Sequence, residues 1–89
     1  MENNLSIVKE NFKELPNNIE AEQAVIGSIL VQNEIFDEIN TIISNINFYD
    51  PMHQSIFSAI ESLIYKGMLA NPITLKNYFE NEKDELNVP

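Results

Sequence analysis

The side chains of this 89-residue chain that could do chemistry are its carboxylates and one histidine. Glu20 and Glu22 stand two apart, Glu34, Asp37 and Glu38 stand three and four apart, and His53 has neither a second histidine nor a cysteine to join it. Paired carboxylates can move protons or hold a hard cation, a serine beside a histidine can become a nucleophile, and a glycine-rich loop can cradle phosphate. The spacings discriminate among these. Residues two apart on a helix lie about 200° apart around its axis, so Glu20 and Glu22 diverge and read as charges favoured by the positive end of a helix dipole. No serine sits in a G-x-S-x-G context. The only glycines are Gly27 and Gly67, too few for a phosphate-binding loop.

His53 therefore reads as a packing or hydrogen-bonding residue near Phe48 and Tyr49, and no catalytic, cofactor-binding or metal-ligating residue is assigned. Glu34, Asp37 and Glu38 do share one helical face. A solvated surface is the ordinary reading of such a triplet; the functional ones are docking of a basic protein partner, which is preferred, and binding of a hard cation.

Net charge supports that sign of partner. Fourteen acidic residues oppose five lysines and no arginine, leaving a formal charge of -9, which repels phosphate and steers toward basic surfaces. Direct nucleic-acid binding is disfavoured, and a helix-turn-helix reader would need a basic recognition helix that the chain lacks. With no cysteine, neither disulfides nor thiolate metal sites are available, as suits a reducing compartment. No apolar run approaches the roughly 18 residues of a membrane span, and the opening MENNLSIVKE lacks the pattern of a signal peptide. The expectation is a cytoplasmic protein that does not contact membrane.

Four helical segments must position these residues. Residues 1–15 carry apolar side chains but no convincing cap and read as a flexible N-terminal tail. Asn18 caps a first helix over 19–31, in which Val25, Ile26, Ile29 and Leu30 form one apolar stripe. Gly27, in mid-helix, costs about 1 kcal/mol relative to alanine and suggests a close approach of another helix; on that reading Gly27→Leu would destabilise the fold. Asn33 caps a second helix with Ile35, Phe36, Ile39, Ile42 and Ile43 facing inward. Phe48-Tyr49 reads as an aromatic pair anchored in the core. Asp50-Pro51 starts a third helix over 51–66, with Met52, Ile56, Phe57, Ile60, Leu63 and Ile64 at apolar spacing, and Gly67 takes the left-handed position past its end. Asn71-Pro72 starts a short fourth helix with Leu75, Tyr78 and Phe79 on its apolar side, after which the pattern dissolves into a frayed, charged end. The fold class is all-α: a compact orthogonal bundle of about four short helices, in a chain small enough to bury only about 60% of its unfolded surface.

The run from Pro16 to Leu30, PNNIEAEQAVIGSIL, resembles the start of the N-terminal domain of bacterial DnaB-type replicative DNA helicases, where a proline and polar cap precede E-A-E-Q-x-V-L-G. The likeness continues through Gln32-Asn33-Glu34, then Phe48-Tyr49-Asp50-Pro51-Met52-His53 against the family's F-Y-x-x-x-H, Ile56-Phe57, Lys66-Gly67 and Thr74-Leu75, covering roughly residues 16 to 80. Where the family more often places an acidic cap, this chain has Asn71, which caps nearly as well. The resemblance implies that residues 16–81 are the globular part of the helicase collar, that 82–89 lead into a missing helical hairpin, and that the piece alone is monomeric or weakly associating. It further implies a hexameric parent whose missing C-terminal domain uses ATP and magnesium to unwind DNA, with other helicase subunits, primase and a helicase loader as partners. No cofactor is expected in residues 1–89 themselves. The competing reading is a free-standing acidic helical adaptor for protein interaction.

Overall fold

The computed structural model describes residues 18–86, with side chains to Glu82; the tail expected over 1–15 lies outside the described residues. Four helices follow one another: α1 (Ile19–Val31), α2 (Phe36–Asn40), α3 (Pro51–Tyr65) and α4 (Pro72–Leu86). A 3-10 turn over Asn33–Ile35 leads into α2 and another over Asn45–Asn47 precedes α3. Among the described residues there is no strand, so the expected all-α architecture is the one observed.

The helix starts follow from local chemistry. The Asn18 side chain accepts a hydrogen bond from the Ala21 backbone N–H at 2.9 Å, and Asp50 accepts from Met52 N–H at 2.8 Å ahead of Pro51. Asn71 accepts from the N–H groups of both Ile73 and Thr74 while its own N–H donates to the Thr74 hydroxyl. Each side chain satisfies donors that a helix N-terminus leaves without partners. At the end of α3 Gly67 takes φ 80°. Its N–H donates to the Ile64 carbonyl and that of Met68 to the Leu63 carbonyl, both at 2.9 Å. This is the Schellman pattern, for which glycine at the left-handed position is the least strained choice.

The core gathers Val25, Ile26 and Ile29 from α1, Phe36, Ile39 and Ile43 from α2 and its exit, Phe48, and Phe57, Ala59, Ile60 and Leu63 from α3, closed by Ala70 and Leu75. Phe57 is its centre: its ring lies 5.3 Å from that of Phe36 and 5.0 Å from that of Phe48, both tilted, a geometry aromatic pairs favour. Helix α3 packs on both α1 and α4.

Several expectations are corrected. Gly27 lies exposed, and a Cβ built there meets nothing within 4 Å; no close helix approach requires it, and the expected loss of stability on enlarging it loses its basis. Asn33 does not cap a long second helix. A 3-10 turn replaces the first turn, and α2 is only five residues long. Phe48 is buried, but Tyr49 is 61% exposed, so the aromatic pair divides between core and surface. Met52, at 65% exposure, and Ile42 also fall outside the core. Helix α4 continues past Phe79 to Leu86, through a stretch whose Glu, Lys and Leu residues are good helix formers.

Candidate functional site

Among the described residues Glu22, a position read from sequence only as a dipole charge, makes three polar contacts with one distant segment. One turn into α1, its side chain is turned inward and 1% exposed. Oε2 accepts from the backbone N–H of Tyr49 at 2.6 Å. Oε1 accepts from Asp50 N–H at 3.3 Å and meets His53 Nδ1 at 2.7 Å. With Glu22 in its carboxylate form, which can only accept, Nδ1 is the donor in that contact. His53 sits in the first turn of α3, 8% exposed, with its ring edge-on to Phe48, centroids 6.4 Å apart. The packing and hydrogen-bonding role read for His53 is the one observed.

This clasp joins the start of α1 to the start of α3. Gln54 reinforces it by donating to the Phe48 carbonyl at 2.6 Å, and Asn47 Oδ1 accepts from Ser44 N–H at 2.8 Å. The backbone from 44 to 54 is thereby fixed while Ile46, Tyr49 and Met52 project into solvent. Neither Glu22 nor His53 is open to solvent, so no substrate reaches the pair without local opening. The arrangement holds two helices in register and offers no accessible acid or base. Among the described residues no buried side-chain nitrogen or oxygen lacks a partner.

A second polar tie is made by Asn33. Its amide donates to the carbonyls of Ile29 at 2.7 Å and Ala70 at 3.0 Å, and its Oδ1 accepts from Ala70 N–H at 2.7 Å. The end of α1 is thus pinned to the connection between α3 and α4. The tie uses both faces of a primary amide, which no other side chain except glutamine could do.

The three residues singled out for docking, Glu34, Asp37 and Glu38, are all exposed. Glu34 lies in the 3-10 turn and the other two in α2. Glu34 and Asp37 line one cleft with Asn33, Ile64, Gly67, Met68 and Leu69, whereas Glu38 lies outside it. The sequence pattern found the acidic face but not the apolar side chains that line the cleft with it. Among the described residues no cluster of three or more His, Cys, Asp or Glu is arranged to hold a metal ion, and no helix is long and apolar enough to cross a membrane.

The partners in the clasp come from the two segments that carry the family likeness: Glu22 is the second acid of EAEQ, and Tyr49 and His53 belong to FYDPMH. Comparison with known proteins bears on the same segments. The family model described as "DnaB-like helicase N terminal domain" matches residues 14–88. A replicative DNA helicase DnaB from Rickettsia typhi is 40% identical over 84% of this chain and 16% of its own length. Its counterpart from Buchnera aphidicola subsp. Baizongia pistaciae is 38% identical over 89% of this chain and 17% of its own, and that of Pasteurella multocida is 37% identical over 73% and 13%. The chain therefore spans about a sixth of the length of the curated relatives it matches. No solved structure matches it.

Proposed function

The chain belongs to the family of DnaB-like helicase N-terminal domains, and from that premise we propose that it is the globular collar part of a replicative DNA helicase, acting by protein contacts in the cytoplasm. The observation that carries this reading is the match of nearly the whole chain to a small share of relatives named as replicative helicases. The architecture supports a bracing role: the buried Glu22 clasp joins helix to helix. Unwinding would be the work of the remaining five sixths of the parent, with ATP and magnesium as its cofactors. The residues described here do not fit that nucleotide. Gly27 is in mid-helix and Gly67 at a helix end, so no glycine-rich phosphate loop is formed.

In this reading the domain helps assemble other helicase subunits and docks primase or a helicase loader through Glu34, Asp37 and Glu38, whose negative charge suits a basic surface. Reversing all three to lysine weakens primase binding measured by calorimetry; an unchanged affinity would remove the assignment. By itself the chain is monomeric or weakly associating, and a tight dimer in sedimentation at micromolar concentration would contradict this. The reading as a whole is tested by an immunoblot of source cells with an antibody against this domain. A band several times larger than 10.2 kDa supports the helicase collar. A band near that mass supports the free-standing adaptor.

A further inference from the structure

We propose that the cleft between residues 33–40 and the turn joining α3 to α4 is a docking groove for a basic, amphipathic helix of a partner protein. The proposal rests on the reading of this domain as a protein-docking module and narrows it from an acidic face to one groove with a defined chemistry.

The groove has an apolar side and an acidic side. Ile64, Met68 and Leu69 line the first, Glu34 and Asp37 the second, around an open volume of about 410 Å³. Met68 is 47% and Leu69 64% exposed, two of nine large apolar side chains left exposed among the described residues, and these two stand beside Glu34 and Asp37 in the cleft. Their backbone is not loose. The Schellman bonds fix Met68 to the end of α3, and the Asn33 amide fixes Ala70 from the other side. Apolar side chains on a fixed backbone are pre-ordered for a partner, which reduces the entropy lost on association.

Charge selects the occupant. Among the described residues no lysine pairs with a carboxylate, the buried His53–Glu22 contact is ionic only when the histidine is protonated, and no hydrogen bond engages the carboxylates of Glu34 or Asp37. The nearest lysine in sequence to the groove, Lys66, reaches instead over the ring of Tyr78 at 6.0 Å. Two carboxylates three residues apart, without a cationic partner among the described residues and lining one cleft with apolar side chains, match a helix with apolar residues at i, i+3, i+4 and i+7 and Lys or Arg on its flanks. A second copy of this chain would bring a charge of -9 against its like. Nucleic acid would be repelled in the same way. Glu38, outside the groove, takes no part.

The test is an NMR titration of the isotope-labelled 89-residue chain with a synthetic helical peptide of about 14 residues, leucine on one face and lysine on the other. Expected are shifts confined to residues 33–40 and 64–69. Binding weakens about tenfold or more in Glu34→Gln/Asp37→Asn and again in Met68→Ser/Leu69→Ser, and is unchanged in the control pair Glu61→Gln/Glu80→Gln, which removes equal charge elsewhere. Should the double serine variant not fold by circular dichroism, Leu69→Ser alone carries that arm. Absence of binding, shifts spread over the whole acidic surface, or full binding by the serine variant would each overturn the proposal. If the lysine reversal leaves primase affinity unchanged while this titration succeeds, the groove stands with another partner and only the primase assignment falls.

Discussion

Glu22 holds three N–H donors at once, and that makes its removal unlike the removal of any one of them. Glu22→Ala strands the Tyr49 and Asp50 amides and the His53 ring, and leaving buried donors unpaired costs about 1–3 kcal/mol each where water cannot enter. His53→Ala leaves Glu22 its two backbone partners. The expected losses are roughly 3 kcal/mol for Glu22→Ala and roughly 1–2 for His53→Ala, with a double variant well short of the sum, because the two share one network. Urea denaturation of the three variants checks the order. Gly27 gives the opposite case. Since a Cβ there meets only open space, Gly27→Ala raises stability by up to about 1 kcal/mol through helix propensity alone; a lower melting temperature would contradict this. These two residues also mark where sequence reasoning failed. Glycine inside a helix signals a cost, but the cost does not reveal whether a neighbour requires it. Glu22 has its partners 27 to 31 residues away, out of reach of any local spacing rule. The available signal was that the EAEQ and FYDPMH segments each hold a group complementary to the other.

At the scale of elements, caps were the most legible feature. Asn18, Asp50 and Asn71 each do locally what their side chains and the following prolines or acids imply, and Gly67 takes the one positive φ found among the described residues. Such features depend on four or five neighbouring residues and are readable for that reason. The segment from 33 to 43 was harder. Its apolar spacing is helical, yet Asn33 spends its amide on Ile29 and Ala70 in place of capping, and the first turn tightens to 3-10. Asn33→Ala removes all three of those bonds. The expected result is a loss of about 1–3 kcal/mol with faster amide hydrogen exchange at Ala70 than at Leu63 or Ile64. Asn33→Asp retains an acceptor for Ala70 N–H but sets a carboxylate against two carbonyls, and should not rescue it.

For the whole molecule, the dominant fact is an acidic charge with little internal compensation. The His53–Glu22 contact is buried and is an ion pair only when the histidine is protonated, so among the described residues salt has no surface pairs to weaken, while it does screen repulsion over about 10 Å at 0.1 M. Added sodium chloride should therefore raise the melting temperature by a few degrees; a fall would mean that attractive surface charges outweigh the repulsive ones. The fold class was readable at this scale because helical periodicity recurs through the chain. The groove was not, because its two sides come from segments about thirty residues apart that only packing brings together.

The Asn33 tie has a further consequence in time. Its partners are separated by 37 residues, so it can close only after α1 and α3 have docked and the intervening chain has lost most of its freedom. A bond of that kind contributes little to the barrier crossed on the way to the native state and is broken on the way out. Its loss should appear as faster unfolding at nearly constant folding rate. One amide thereby governs how long the bundle persists once made, more than how quickly it is made.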